Sequence, residues 1–486
     1  MDGSAAGSGS AGFALLFTLF AFFLPILFYF PPVPPSKRDA LLETHSPVGL
    51  GPSSASGLPG KRTTRTRTRT RTRTGRGAAE DDAEGGGGGG GPRIRSLWIY
   101  PLKSCRGIEV RQSKVLPTGL EFDRLYAFAR LKESPSPSPS AAGRGEKASE
   151  ASETKGERRR SWHFITQRQF PLLATVEVDL FVPDPAKRRP RAGQQQPSSS
   201  DASEAPDAPF LLVRFPWREP GLLGLVFGHL GAKLARGWRA RPEKEFVLPV
   251  AFPSPAEAEA RGYAYEDLTV WRDTVPALNM TADLAPELAR YLGVAGPLGL
   301  FRVDPARPRE VYRCAPSRQA AGYQPVTGFQ DAYPLHLLNL ASVRDLDAKV
   351  DKDEDFRELD PRRFRANIIV DGDESPYDEE SWKKIRFKPG PESKRGPSTF
   401  HVSCRTVRCK MPNVDQDTGY RHPVQPDKAL RKFREVDAGA KHMGCLGMQL
   451  TPLFPRTDAP ENMESWVEVG MSVEVLERGD HLYIPQ

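Results

Sequence analysis

The chain has 486 residues, 38% of them hydrophobic, with 43 Gly, 47 Pro and a formal net charge of +8. The length allows two or three domains, but so much Gly and Pro means that parts of the chain cannot build a core. Five cysteines are too few, and odd in number, for a disulfide framework, which fits a reducing compartment with thiols free or metal-bound. The positive charge implies no nucleic-acid partner, because much of it sits in one repeat, Arg65-Thr66 through Arg73-Thr74.

Residues 12–30 carry no charge and are rich in Leu and Phe, about the length that crosses a bilayer as a helix. The leader before them holds only Asp2, while Lys37, Arg38, Lys61 and Arg62 follow. Positive flanks stay on the cytosolic side. This predicts a single uncleaved transmembrane helix, Pro25 being tolerated there, with everything after it in the cytosol. A cleaved signal peptide is the rival reading. Residues 31–92 read as a tether: stiff at Pro31-Pro32-Val33-Pro34-Pro35, self-repelling in the Arg-Thr repeat and flexible from Gly85 to Gly91. Such a basic segment is either a plain solvated linker or a contact for anionic lipid head groups.

The globular part starts at Arg93. Alternation over residues 95–102 predicts a strand, and further strands are predicted at 174–182, 210–215, 367–370 and 467–476. Apolar stripes predict helices over 281–292, capped by Thr281 or Asp283, and over 340–350, beginning near Asn339. Two low-complexity stretches, 133–160 and 185–209, read as disordered surface insertions. Many short strands and few helices predict a mainly β fold of barrels or sandwiches. No dinucleotide fingerprint or P-loop is present.

Chemistry concentrates in a few places. In the run Cys404-Arg405-Thr406-Val407-Arg408-Cys409 a thiol directly follows an arginine, and a neighbouring cation favours the thiolate, a soft metal ligand. Asp415 and Asp417 follow in a turn-forming stretch. His401, Cys404, Cys409 and His422 lie near one another in sequence, yet they lack the paired spacing of a zinc site. Lys103, Ser104 and Arg106 cluster after Pro101, Arg124 follows Asp123, and Arg365 and Asn367 open an apolar strand at equal parity. Cations and an amide so placed suit either solvated turns or an anionic, phosphorylated ligand; equal parity would put Arg365 and Asn367 on one face.

These motifs resemble a known family. Leu97-Trp98-Ile99-Tyr100-Pro101-Leu102-Lys103-Ser104-Cys105-Arg106-Gly107, Gly119-Leu120-Glu121-Phe122-Asp123-Arg124 and Phe164-Ile165-Thr166-Gln167-Arg168-Gln169 are similar to the MOSC N-terminal domain. Phe364-Arg365-Ala366-Asn367-Ile368-Ile369-Val370, Asp378-Glu379-Glu380-Ser381-Trp382 and Arg408-Cys409 with Val414-Asp415-Gln416-Asp417-Thr418-Gly419 are similar to the MOSC domain. The arrangement resembles the amidoxime-reducing branch of that family. The resemblance implies a β-rich N-terminal barrel-like domain over 93–295 and a β-barrel MOSC domain over 300–480.

It also implies a molybdenum–molybdopterin cofactor with Cys409 as the one protein ligand of the metal. Lys103, Ser104, Arg124, Arg365 and Asn367 would contact the cofactor, and Arg408 would flank the metal. The family reduces N-hydroxylated compounds such as amidoximes and hydroxylamines, with electrons from NADH through cytochrome b5 and its flavin reductase. An outer-mitochondrial-membrane anchor is a further family trait, with the endoplasmic reticulum as the alternative location. Tyr333 stands where relatives often carry a small hydroxyl residue. MOSC domains also end the cofactor sulfurases, whose upstream pyridoxal-phosphate domain has no room here, so a sulfur-carrier role for Cys409 is the alternative function.

Overall fold

The computed structural model describes residues 14–15, 17–24, 36–51, 57–58, 91–134, 159–187, 208–218, 220–221, 228, 231–233, 240–372, 375–455 and 463–485. Two closed sheets dominate it. The smaller barrel runs Ala264–Val270, Asp273–Asn279, Leu298–Arg302, Tyr126–Ser134 and Arg159–Phe164. The larger sheet has eight strands, ordered Ile368–Asp371, Leu335–Asn339, Cys445–Leu453, Ser398–Val407, Trp382–Lys388, Ser472–Arg478, Arg93–Ile99 and Ile108–Val110. Pairing of Ile368–Asp371 with Arg93–Ile99 closes seven of these strands into a ring and leaves Ile108–Val110 outside it. Closure removes the exposed strand edges that invite aggregation.

The expectation of a mainly β fold with barrels and few helices therefore holds. The expected boundary between the two domains does not follow the sheets. Arg93–Ile99 pairs with strands from the C-terminal third of the chain, and one apolar core runs from Ile94 to Met471.

One crossover sets the position of Arg365. Leu335–Asn339 and Ile368–Asp371 are parallel neighbours, and parallel strands need a long connection, usually helical. The helix Leu340–Lys349 supplies it, with the Asn339 side chain capping the Ala341 amide at 3.0 Å. The connection ends in a 3-10 turn, Pro361–Phe364, whose C-terminal cap is Arg365 at φ 54°. Glycine usually takes that left-handed position; here an arginine does.

Several local expectations need correction. Arg365 and Asn367 do not lie on one strand face, because the strand begins only at Ile368. Residues 467–476 form two strands, Ser465–Glu468 and Ser472–Arg478, separated by a turn at Gly470, φ 96°. The 281–292 helix is a 3-10 turn, Thr281–Asp283, followed by a helix, Glu287–Leu292, because Pro286 intervenes and cannot donate its amide. Residues 174 and 175 belong to a 3-10 turn before the strand Glu177–Pro183. The first insertion is narrower than expected, since Glu133 and Ser134 pair with Arg160 and Arg159. In the second, Pro185–Lys187 forms a 3-10 turn; residues 135–158 and 188–207 lie outside the described residues.

The stretch read as a tether is also partly folded. Ser36 and Asp39 form a capping box for the helix Lys37–Thr44. The next residues, His45–Val48, add an antiparallel strand to Glu177–Pro183. Lys187 Nζ donates to the Leu42 and His45 carbonyls at 3.0 and 2.6 Å, and Ser46 donates to Asp184 at 2.5 Å. Leu58 is buried in the cluster around Trp98 and Leu338. The Arg-Thr repeat and the glycine run at 85–90 lie outside the described residues. So does part of the 12–30 anchor; among the described residues no helix is long and apolar enough to cross a membrane.

Candidate functional site

A cavity of about 530 Å³ opens between the two barrels. Cys409 lines it, together with Lys103, Ser104 and Arg124 from the N-terminal segment. Arg365, Asn367 and Arg408 line it from the larger sheet. All seven residues singled out in the sequence are thus brought to one place, across up to three hundred positions of chain.

The backbone explains the convergence. Tyr100 receives the Arg124 amide on its carbonyl at 2.8 Å, and its own amide donates to Asp123 at 2.8 Å. This ties the 100–104 turn to the 122–126 turn. Ser104, Arg124 and Arg365 all have positive φ, at 68°, 51° and 54°. Such backbones cost of order 1 kcal/mol or more each. Four of the eight described non-glycine residues with positive φ, these three and Trp271 at φ 58°, thus line one cavity, which marks it as a place where the fold accepts strain.

The cations differ in what they have left to give. Arg408 commits its donors to the Leu446 and Phe364 carbonyls and to His336, 2.5 Å away. Burial, with the Arg408 and Arg124 charges, holds the His336 ring well below its usual range, so it is a neutral acceptor. Arg408 therefore offers a ligand mainly its charge, with one Nη1 hydrogen outside these bonds. Lys103 donates to the Phe329 carbonyl and to Asp331, at 2.7 and 2.6 Å, leaving one of three ammonium hydrogens. Arg124 reaches Asp123, Asn367 and the Arg365 carbonyl. Asn367 is satisfied within the protein, since its amide also donates to the Trp98 carbonyl at 3.1 Å.

Arg365 is the exception. It is 5% exposed, it stacks on the Tyr100 ring at 4.3 Å, and among the described residues neither of its terminal nitrogens has a hydrogen-bond partner. Burial pulls its pKa down to about 10. An unpaired buried charge is costly, and an anion in the cavity would supply what is missing.

Cys409 follows the strand Ser398–Val407 and is half-buried. Its sulfur accepts a hydrogen bond from Arg168 at 3.2 Å. Arg168 stacks on Trp271 at 4.5 Å, and the Trp271 indole donates to Asp331 at 3.2 Å. Sequence alone places Arg168 inside a motif without a role, and it does not single out Trp271 or Asp331. Asp415 is a turn former: it accepts from the Asp417 and Thr418 amides and from Arg363. The zinc set does not assemble. Both His422 nitrogens are engaged, by Asp353 and by the Val424 and Gln425 amides. His401 bonds Ser403, and among the described residues no group of three His, Cys, Asp or Glu could hold a metal.

The barrels and the cavity between them match two family models. Residues 91–188 match the MOSC N-terminal beta barrel domain and residues 324–474 the MOSC domain. The chain is a MOSC-domain protein. It resembles the mitochondrial amidoxime reducing components: it is 22% identical to component 2 of Rattus norvegicus over 74% of this chain and 77% of that one. It is 30% identical to component 1 of Danio rerio over 34% of this chain and 46% of that one. The molybdenum cofactor sulfurase of Arabidopsis thaliana is 29% identical over 28% of this chain. The chain spans 15% of that sulfurase and about half of the fish relative. Neither fold nor relatives points to pyridoxal phosphate in this chain.

Proposed function

We propose that this chain is a molybdenum-cofactor oxidoreductase that reduces N-hydroxylated substrates such as amidoximes and hydroxylamines. Electrons would come from NADH through cytochrome b5 and its flavin reductase. The observation that carries the reading is the unpartnered Arg365 guanidinium in the same cavity as the Cys409 sulfur. The residues fit a phosphorylated pterin carrying a thiophilic metal. Arg365 and the free hydrogen of Lys103 would take phosphate oxygens, Ser104, Arg124 and Asn367 would frame the group, and Cys409 would be the one protein ligand of the metal, with Arg408 beside it.

When bound, molybdenum–molybdopterin would supply the electron-transfer chemistry. The chain's own part is to place and tune it. Arg168 holds a donor on the ligand sulfur, and Trp271, stacked over Arg168, covers that side of the cavity. Tyr333 and Tyr483 line the cavity as well, so a flat apolar substituent on the substrate would meet aromatic surface.

The test is direct. The full chain, expressed in a host that makes the cofactor, should carry close to one molybdenum per chain and reduce benzamidoxime with cytochrome b5, its reductase and NADH. Cys409→Ala should remove metal and activity together. A chain that stays metal-free in that host, or a Cys409→Ala variant that keeps its activity, sinks the reading. The second reading, sulfur transfer, is favoured by the similarity to the sulfurase and by the cation at the Cys409 sulfur. It predicts one extra sulfur mass on Cys409 and no benzamidoxime reduction.

The same reading puts the chain in the mitochondrial outer membrane, body in the cytosol. The helical residues 17–24, with Phe17, Phe20 and Phe22 exposed, support an apolar N-terminal segment that needs a nonaqueous surrounding. Fusing the first 40 residues to a fluorescent protein tests the choice between this membrane and the endoplasmic reticulum.

A further inference from the structure

Beneath the cavity wall lies a second group of reactive side chains that the proposed reduction does not use. Cys404, fully buried, packs with Val311 and Tyr333, and Cys314 and Tyr483 close the cluster. Cys314 comes from the loop after Arg309–Glu310, folded back by the Ala315 amide on the Tyr312 carbonyl. Cys404 sits in Ser398–Val407, just past an irregularity in its pairing with Cys445–Leu453. Two free thiols from distant segments thus meet, one half-exposed and one enclosed.

We propose that Cys314 and Cys404 form a redox-active dithiol, a modification site in which peroxide converts the pair to a disulfide. The half-exposed member is the natural nucleophile and the enclosed one the resolving thiol, the arrangement that redox-sensing cysteines require. The charge distribution agrees. Hydrogen bonding from Cys404 lowers the Cys314 pKa to about 6, although partial burial opposes it. The same bond, and burial, push the Cys404 thiol well up. Cys445 stands in contrast: burial raises it to about 12.

The step balances. The Cys314 thiolate attacks one peroxide oxygen, the O–O bond breaks and hydroxide leaves, giving a sulfenic acid. The Cys404 sulfur then attacks the Cys314 sulfur, the S–O bond breaks, and the hydroxyl leaves with the Cys404 proton as water. Two thiol groups lose two electrons and peroxide gains them.

The consequence reaches the cavity. As a protonated thiol Cys314 donates to the Leu482 carbonyl at 3.4 Å, and the adjoining Tyr483 and Pro485 line the cavity. Neither the thiolate nor the disulfide has an S–H, so that tie to the C-terminal tail belongs to the protonated thiol, and oxidation makes its loss independent of pH. This inference is independent of whether the cavity holds molybdenum.

The test uses the full chain, first reduced and then exposed to a small excess of hydrogen peroxide. Expected are a loss of two hydrogen masses, a peptide map joining Cys314 to Cys404, and faster amide exchange across residues 481–485. Before oxidation Cys314 should alkylate about tenfold or more faster than Cys105 and Cys445 at neutral pH. Cys314→Ser should abolish the mass loss, and Cys404→Ala should leave only a trapped sulfenic acid on Cys314. A disulfide mapping to Cys409, stable oxygen addition to Cys314 in the unaltered chain, or no oxidation at all overturns the proposal. If Cys404→Ala fails to fold, the Cys314→Ser arm and the map on the unaltered chain still decide.

Discussion

Arg168 directs a guanidinium nitrogen to the Cys409 sulfur across 3.2 Å, from a position 241 residues away in sequence. If Cys409 ligates the metal as proposed, a donor on its sulfur should account for about 10–100-fold in metal affinity. Arg168→Gln is expected to lower molybdenum content by about that factor at limiting cofactor, with the thermal melt almost unchanged. Arg168→Lys should recover part of it, since the charge survives but the planar stack on Trp271 does not. Metal analysis on the two variants checks both statements.

Arg365 carries the opposite balance. Its terminal nitrogens, unpaired among the described residues, burden the cofactor-free chain with a buried charge that the proposed anionic ligand would satisfy. Arg365→Met keeps much of the volume and removes the charge. The cofactor-free chain should gain roughly 1–3 kcal/mol in denaturant unfolding, while cofactor loading falls to background. A variant that loses stability when empty would show that the stack on Tyr100 outweighs the buried charge.

Glu379 makes stability depend on pH. It is fully buried and takes hydrogen bonds from Ser342 at 2.7 Å and Asn339 at 3.0 Å. Burial raises its pKa to about 7 despite those bonds. A carboxyl raised in the folded state binds its proton more tightly there than in the unfolded chain. Its contribution is complete below about pH 4.5, the ordinary glutamate value, and is lost as pH rises through 7. Glu379→Gln should flatten the stability profile over that window, at a baseline cost of about 1 kcal/mol for one mismatched hydrogen bond. Urea unfolding from pH 5 to pH 8 measures it.

Gly439 guards the C-terminal tail. A Cβ there would lie 1.8 Å from the Tyr483 carbonyl oxygen, a distance no relaxation of a side chain can relieve. Gly439→Ala should expel Tyr483 and Pro485 from the cavity wall. The expected signature is rapid amide exchange over 481–485 and a raised KM for benzamidoxime, with the fold otherwise kept. Unchanged exchange would mean that the tail is held by Asp437, which accepts the Tyr483 amide at 2.9 Å, strongly enough to shift the 439 loop instead.

Much of this was legible from sequence because short motifs mark turns. Lys103, Ser104 and Arg124 sit in turns after strands and Arg365 in the turn before one, each marked by a nearby proline or aromatic residue, and the mainly β character followed from short alternating runs. Other parts were not legible. Periodicity assumes regular backbone, and Ser104, Arg124, Trp271 and Arg365 leave it with positive φ; equal parity therefore misplaced Arg365 and Asn367. The partnership of Arg168 with Cys409, and of Cys314 with Cys404, depends on strand register across the two barrels, which no local window contains. Arg93–Ile99 closing the larger ring is of the same kind.

The N-terminal strand His45–Val48 changes what the basic repeat can do. The body begins at Ser36, so only Pro31 to Pro35 separate it from the apolar segment. Five residues span at most roughly 18 Å. The stretch from residue 59 to residue 90 departs from buried Leu58 and returns at Arg93. Both residues that flank this stretch, Leu58 and Arg93, belong to the same body. The distance from the apolar segment to the paired strand His45–Val48 is therefore counted in residues before Ser36, whatever the number of Arg-Thr repeats.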